Sequence, residues 1–127
     1  MSEAKAQSVP VSVIGAGCAG LSLAARAAEL PNHDISLVAP KTDMAEDHIW
    51  GFWAMPWLHA ATSAARAQWT QWRIINTDFN ILHQSETHPY CAIHRHRWLH
   101  ECEKKARANG VQFEPELVMQ APVQQIL

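Results

Sequence analysis

The stretch GAGCAG at residues 15–20 constrains this chain more than any other. It follows VSVI, a short β-branched run suited to a buried strand, and opens into LSLAARAAEL, an alanine-rich run suited to a helix. The spacing is GxGxxG, with Gly15, Gly17 and Gly20. Each glycine has a separate reason to lack a side chain. Gly15 lets the chain turn sharply off the strand. Gly17 lets a pyrophosphate approach the backbone. Gly20 lets the helix pack close to the strand. The N-terminus of the helix then offers unpaired N–H groups and a positive dipole end to phosphate. On its own the spacing is weak. Between a strand and a helix near the N-terminus it reads as a dinucleotide-binding turn, with Gly15, Ala16, Gly17, Cys18, Ala19 and Gly20 as cofactor-binding positions.

The rest of the pattern extends this into an α/β fold. Residues 11–15 read as the first strand and residues 18–30 as a helix. Leu21, Ala24, Ala25 and Ala28 recur at helical spacing there, and Pro31 stops the run. DISLVAP (34–40) reads as a second strand, which completes a βαβ unit with an expected right-handed crossover. Residues 41–93 differ in kind: five of the six tryptophans lie there. QWRII (71–75) and FNILH (79–83) read as strands around an NTD turn, and HPYCAI (88–93) as a third extended piece. A helix returns at Arg95, with Trp98, Cys102 and Ala106 at i, i+4 and i+8 and a stop at Asn109-Gly110. VQFEPELV (111–118) then reads as a strand, and VQQIL (123–127) as the start of another. The expected fold is a Rossmann-like FAD/NAD(P)-binding βαβ unit carrying an inserted aromatic-rich β segment at 41–93. Three parallel strands close such a sheet poorly, so the expectation is the N-terminal portion of a longer flavoprotein.

Composition narrows the function classes. The chain has 127 residues, of which 48% are apolar, and a formal net charge of -2. That balance suits a globular domain and gives no electrostatic case for a nucleic-acid partner. HRHRW and KKAR read as solvated helix faces. Three well-separated cysteines, Cys18, Cys91 and Cys102, with no CxxC, argue against a disulfide framework and for a reducing cytoplasmic compartment. The leader MSEAKAQS carries an acid and lacks the basic start of a secretion signal.

Several residues invite a functional reading and also a plainer one. His96 and His100 share a helix face, as metal ligands would, yet there is no HExxH and no acid at a suitable spacing. They and His94, His33, His59, His83 and His88 read as surface or capping residues, with no metal site. Cys18 occupies a variable position of the glycine turn, and its side chain reads as packing. The acid that usually holds the ribose hydroxyls at the end of the second strand is replaced by Ala39, a departure that weakens an NAD reading more than an FAD one. Asp43 or a backbone group would have to substitute, and Lys41 reads as a loop charge or a partner for an extra phosphate. HIWGFWAMPWL (48–58) reads as a loop packed over the sheet, as a wall for a flat apolar ligand, or as a shallow membrane anchor.

Taken together, GAGCAGLSLA, HIWGFW, QWTQWRI and YCAIHRHRWL resemble the N-terminal part of the lycopene cyclases, especially the bacterial carotenoid β-cyclases, from about Val11 to Val118. His48 and Trp50 match a His-x-Trp pattern after the second strand. Trp69 and Trp72 match an aromatic pair before a strand. Tyr90, Ile93 and Arg95 match the lead into the second helix. The resemblance implies FAD as cofactor, reduced by NAD(P)H, and Arg95 as a further cofactor contact; the plainer reading of Arg95 is a solvated residue at a helix start. It implies redox-neutral ring closure at the ends of lycopene or a related linear carotene. It also implies a peripheral position on the inner membrane for the full-length protein, and an acid catalyst beyond Leu127. Other flavin enzymes of the same fold, such as a monooxygenase or a reductase, and a non-catalytic nucleotide-binding fragment are the alternatives.

Overall fold

A computed structural model of the chain describes residues 7–40 and 46–119. The chain divides into two compact units, Met1–Asp43 with Leu99–Leu127, and Met44–Trp98.

The first unit is a parallel sheet with helices. β1 (Val9–Ile14), β2 (His33–Val38) and β8 (Gln112–Glu114) lie side by side in the order β1-β2-β8. Both pairings are parallel, with Val13 opposite Leu37 and Leu37 opposite Phe113. Between β1 and β2 the chain forms α1 (Cys18–Ala24) and a 3-10 turn, Ala27–Glu29. The expected single helix over 18–30 is therefore broken. Arg26 leaves helical geometry, with φ -101° and ψ 17°, and its guanidinium bridges to Glu29 at 2.7 Å across the turn. Leu21, Ala24 and Ala25 are buried as their spacing demands, whereas Ala28, expected on the same face, lies in the 3-10 turn and is exposed. β1 is not the buried strand that its composition suggests. It lies at the sheet edge, and Val9 and Ile14 are about half exposed.

α3 (Arg95–Ala108) begins directly after β7 (Tyr90–His94) and contributes Leu99, Cys102 and Ala106 to the core of the first unit. It ends where the sequence indicates: Gly110 takes φ +82°, a left-handed conformation that glycine adopts freely, and Val111 N–H closes the end on the Ala106 carbonyl. β8 is shorter than VQFEPELV suggests, because Pro115 has no N–H to extend the ladder. VQQIL falls outside the described residues.

The second unit is antiparallel. β3 (Ile49–Trp53), β7 and β4 (Ala67–Trp69) form a sheet in the order β3-β7-β4. β5 (Gln71–Ile75) and β6 (Asn80–Gln84) form a hairpin. Its NTD turn is held by the Asn76 side chain, whose carbonyl accepts the N–H groups of Asp78 and Phe79 at 2.8 Å each. HIWGFW is a strand and not a loop. Its continuation forms a 3-10 turn, Pro56–Leu58, and α2 (His59–Ala64). Cys91, Ala92 and Ile93 on β7, with Ala54 and Ala61, make the buried core of this unit.

Two glycines are required by close approach. A β-carbon on Gly20 would collide with the backbone carbonyl of Gly15, and one on Gly51 would collide with the hydroxyl end of Tyr90. Backbone cannot yield cheaply, whereas a side-chain end can shift. Gly20→Ala is therefore expected to lower unfolding stability by about 2–3 kcal/mol and Gly51→Ala by roughly 1 kcal/mol, in urea titrations followed by tryptophan fluorescence. Equal effects would contradict the distinction between a backbone and a side-chain collision.

Candidate functional site

The carboxyl edge of the parallel sheet is where α/β folds place their ligands. Here it is built by the glycine turn. Gly15 leaves β1 with φ +102°, and its N–H donates to the Val38 carbonyl at 2.8 Å, which ties the turn to the end of β2. Gly17 is the residue before α1, and its carbonyl accepts the first helical N–H, from Leu21, at 3.0 Å. No side chain caps this end, and the first turn carries no acid. The N–H groups at the start of a helix have no acceptor within it, so those of the turn are left for a partner outside the helix. The space a β-carbon on Gly17 would take holds no atom of a neighbouring element within 4 Å, and Gly17 is exposed. Bare backbone, uncapped N–H groups and absent negative charge suit a diphosphate. Gly20 serves the close packing of the turn, because a β-carbon there would collide with the Gly15 carbonyl.

Gly15, Ala16, Gly17, Cys18, Ala19 and Gly20 thus come together in one turn. Cys18 is exposed, not packed as the sequence reading held. Cys91 and Cys102 are buried, and burial pushes both thiols up from their ordinary range. Ala39 follows β2 and donates its N–H to the Glu114 carbonyl at 3.0 Å. Lys41 and Asp43 lie outside the described residues.

Arg95 lies in the second unit. It is the first residue of α3; its backbone N–H donates to the His48 carbonyl at 2.8 Å, and its guanidinium donates to the Glu46 carbonyl at 3.3 Å. Beside it is a cluster that local spacing does not reveal. Asp47 accepts the His96 backbone N–H at 3.0 Å and the His94 ring Nδ1–H at 2.8 Å. The suitable acid absent from the sequence neighbourhood of these histidines is supplied from 47 residues earlier, and no local signal marks it. Asp47 caps α3 from another segment, a role usually taken by the preceding residue. Among the described residues no group of three or more His, Cys, Asp or Glu side chains is arranged to hold a metal ion.

The same unit joins five rings into one network. Trp53, Tyr90 and Trp69 stand in a row across β3, β7 and β4 by register. Trp53 meets Tyr90 edge-on at 5.4 Å and Trp72 at 6.2 Å, Trp69 lies 6.3 Å from Tyr90, and Trp72 stacks on His83 at 5.9 Å. Trp69 closes β4 and Trp72 lies inside β5, so the pair is part of the strands and does not precede them. Trp53 and Trp69 remain 47% and 48% exposed, which leaves an apolar aromatic face open.

The His96 N–H and then the His94 side chain hold the Asp47 carboxyl below its ordinary value. A depressed carboxylate stabilises the fold above its unfolded pKa of about 3.9 and loses that contribution as pH falls through the lower folded value. Asp47→Asn is expected to flatten the acid limb of the urea midpoint measured against pH below about pH 4. An unchanged acid limb would exclude a role for this cap in stability.

Comparison with known proteins identifies the relatives of this arrangement. The fold resembles that of the tetrameric form of 2-methyl-3-hydroxypyridine-5-carboxylic acid oxygenase, with a TM-score of 0.63 and 17% identity over 84% of this chain and 31% of that one. It resembles CtdE in complex with FAD and a substrate, with a TM-score of 0.59 and 18% identity over 83% of this chain and 30% of that one. It also resembles FqzB, with a TM-score of 0.55 and 19% identity over 87% and 29% of the two chains. The chain thus spans less than a third of the length of these structures. No curated protein sequence matches it. The sequence model described as lycopene cyclase protein matches residues 10–126, from before the glycine turn to beyond β8, and by that match the chain belongs to the lycopene cyclase family.

Proposed function

We propose that this chain is the FAD-binding part of a lycopene β-cyclase, which closes the ends of lycopene or a related linear carotene without net oxidation. The observation that carries the reading is the exposed, uncapped glycine turn, in a chain that the lycopene cyclase family model matches almost throughout. The resemblance of the fold to CtdE, whose structure contains FAD, supports the choice of cofactor.

The roles of this chain's residues follow from their geometry. Gly15 turns the backbone toward the end of β2, and Gly17 leaves the approach to the backbone clear. The N–H groups from Gly17 to Ala19 hold the diphosphate and fix the nucleotide against the sheet edge. Arg95 is the second contact proposed for the cofactor, at the start of α3. When bound and reduced by NAD(P)H, FAD would supply electron-rich character beside a cation developing on the substrate. The aromatic face formed by Trp53, Trp69, Trp72 and Tyr90 suits one side of a long hydrocarbon, whose cation chemistry requires water to be kept away. The acid catalyst is assigned to the part of the protein beyond Leu127. A substrate dissolved in lipid calls for a peripheral protein at the inner membrane, and among the described residues no helix is long and apolar enough to cross one.

A second reading, a flavin-dependent oxygenase, is favoured by the oxygenase among the similar structures. Product analysis separates the two. In a lycopene-producing host the full-length protein is expected to yield β-carotene; oxygen-containing products would establish the second reading, and neither product would leave a nucleotide-binding fragment. For the cofactor, Gly17→Val is expected to weaken FAD binding at least tenfold, about 1.4 kcal/mol, while unfolding stability in urea falls only by the roughly 1 kcal/mol that valine costs at a helix start, since the new side chain meets no neighbouring element. Unchanged affinity for FAD would refute the proposed contact.

A further inference from the structure

We infer that Glu114, at the end of β8, supplies the ribose-binding carboxylate that Ala39 cannot, so that the acid has moved one strand along the sheet. The inference rests on the dinucleotide reading of the glycine turn. A nucleotide held there by its diphosphate lays its adenosine ribose beside the end of the second strand, where a carboxylate ordinarily accepts its hydroxyl protons. The Ala39 side chain is a methyl group, which accepts nothing.

All three parallel strands finish at one edge, β1 at Ile14, β2 at Val38 and β8 at Glu114. Val38 stands opposite Ile14 on one side and Glu114 on the other. The backbone joins them: Gly15 N–H donates to the Val38 carbonyl, and Ala39 N–H donates to the Glu114 carbonyl. Glu114 therefore stands opposite Val38, the residue before the vacant position, across a single strand spacing, about 4.8 Å. A glutamate side chain spans that gap, and the small side chain of Ala39 does not obstruct it. The Glu114 side chain is exposed and enters no ion pair or hydrogen bond among the described residues, so none of these holds it elsewhere. The ligand class this selects is an adenine nucleotide with a free ribose 2'-hydroxyl. A 2'-phosphate would meet the carboxylate with like charge. Glu116 is also exposed and nearby, and its N–H donates to the Glu114 carbonyl at 2.9 Å. It stands beyond the end of the strand and outside the register that places Glu114.

The test is binding of ADP, 2'-deoxy-ADP and adenosine 2',5'-diphosphate to the full chain by calorimetry. A hydrogen bond to a charged acceptor predicts roughly a tenfold or larger preference for ADP over its 2'-deoxy analogue. Glu114→Gln should bring that ratio to about twofold and relax exclusion of the 2'-phosphate, with the circular dichroism spectrum unchanged. Ala39→Glu in the Glu114→Gln background should restore the preference by returning the carboxylate to the second strand. An unchanged ratio in Glu114→Gln, or its loss in Glu116→Gln instead, overturns the assignment while leaving the dinucleotide reading intact. Failure of the wild-type chain to bind either ADP or FAD overturns both.

Discussion

The first unit depends on one contact, the α-carbon of Gly20 against the carbonyl of Gly15. A strand can turn into a helix in so few residues only if the two backbones approach without side chains between them. That approach sets α1 over Val13 and puts its uncapped end at the carboxyl edge of the sheet. Gly15 contributes the positive φ that begins the turn, and its N–H fastens the turn to β2. Gly17 plays no such structural part. A β-carbon on it would meet no described atom of a neighbouring element within 4 Å.

The second unit repeats the principle with a different partner. Gly51 makes room for Tyr90, which stands between Trp53 and Trp69 in the row across the sheet. Rings at such distances contribute through edge contacts as well as burial. Their exposed remainder gives the unit an open apolar surface. The Asp47 cap fixes the start of α3 by charge and hydrogen bonding, so this unit relies on both packing and polar contacts.

The elements that were legible in the sequence are those governed by local rules. The glycine spacing, the period of Leu21, Ala24 and Ala25, and the Asn109-Gly110 stop each state their geometry within a few residues. β5 was legible to its ends because its run is short, β-branched and closed by a turn of known chemistry. The readings that failed depended on distant partners. Exposure of β1 follows from its edge position, which its own residues do not encode. HIWGFW became a strand because β7 pairs with it, over the aromatic pattern that suggested a loop. Asp47 reaches His94 and His96 only through that same pairing, with Ile49 opposite His94. Cys18 is exposed because it starts a short helix at a sheet edge.

The central claim is that the backbone from Gly15 to Gly20 grips a diphosphate. It is tested most directly by following the amide resonances of the isotopically labelled chain while ADP is added. The account predicts that the Gly17, Cys18 and Ala19 amides shift together and saturably, ahead of those in β3 to β6. Amides of the glycine turn that stay fixed while another region responds would contradict it.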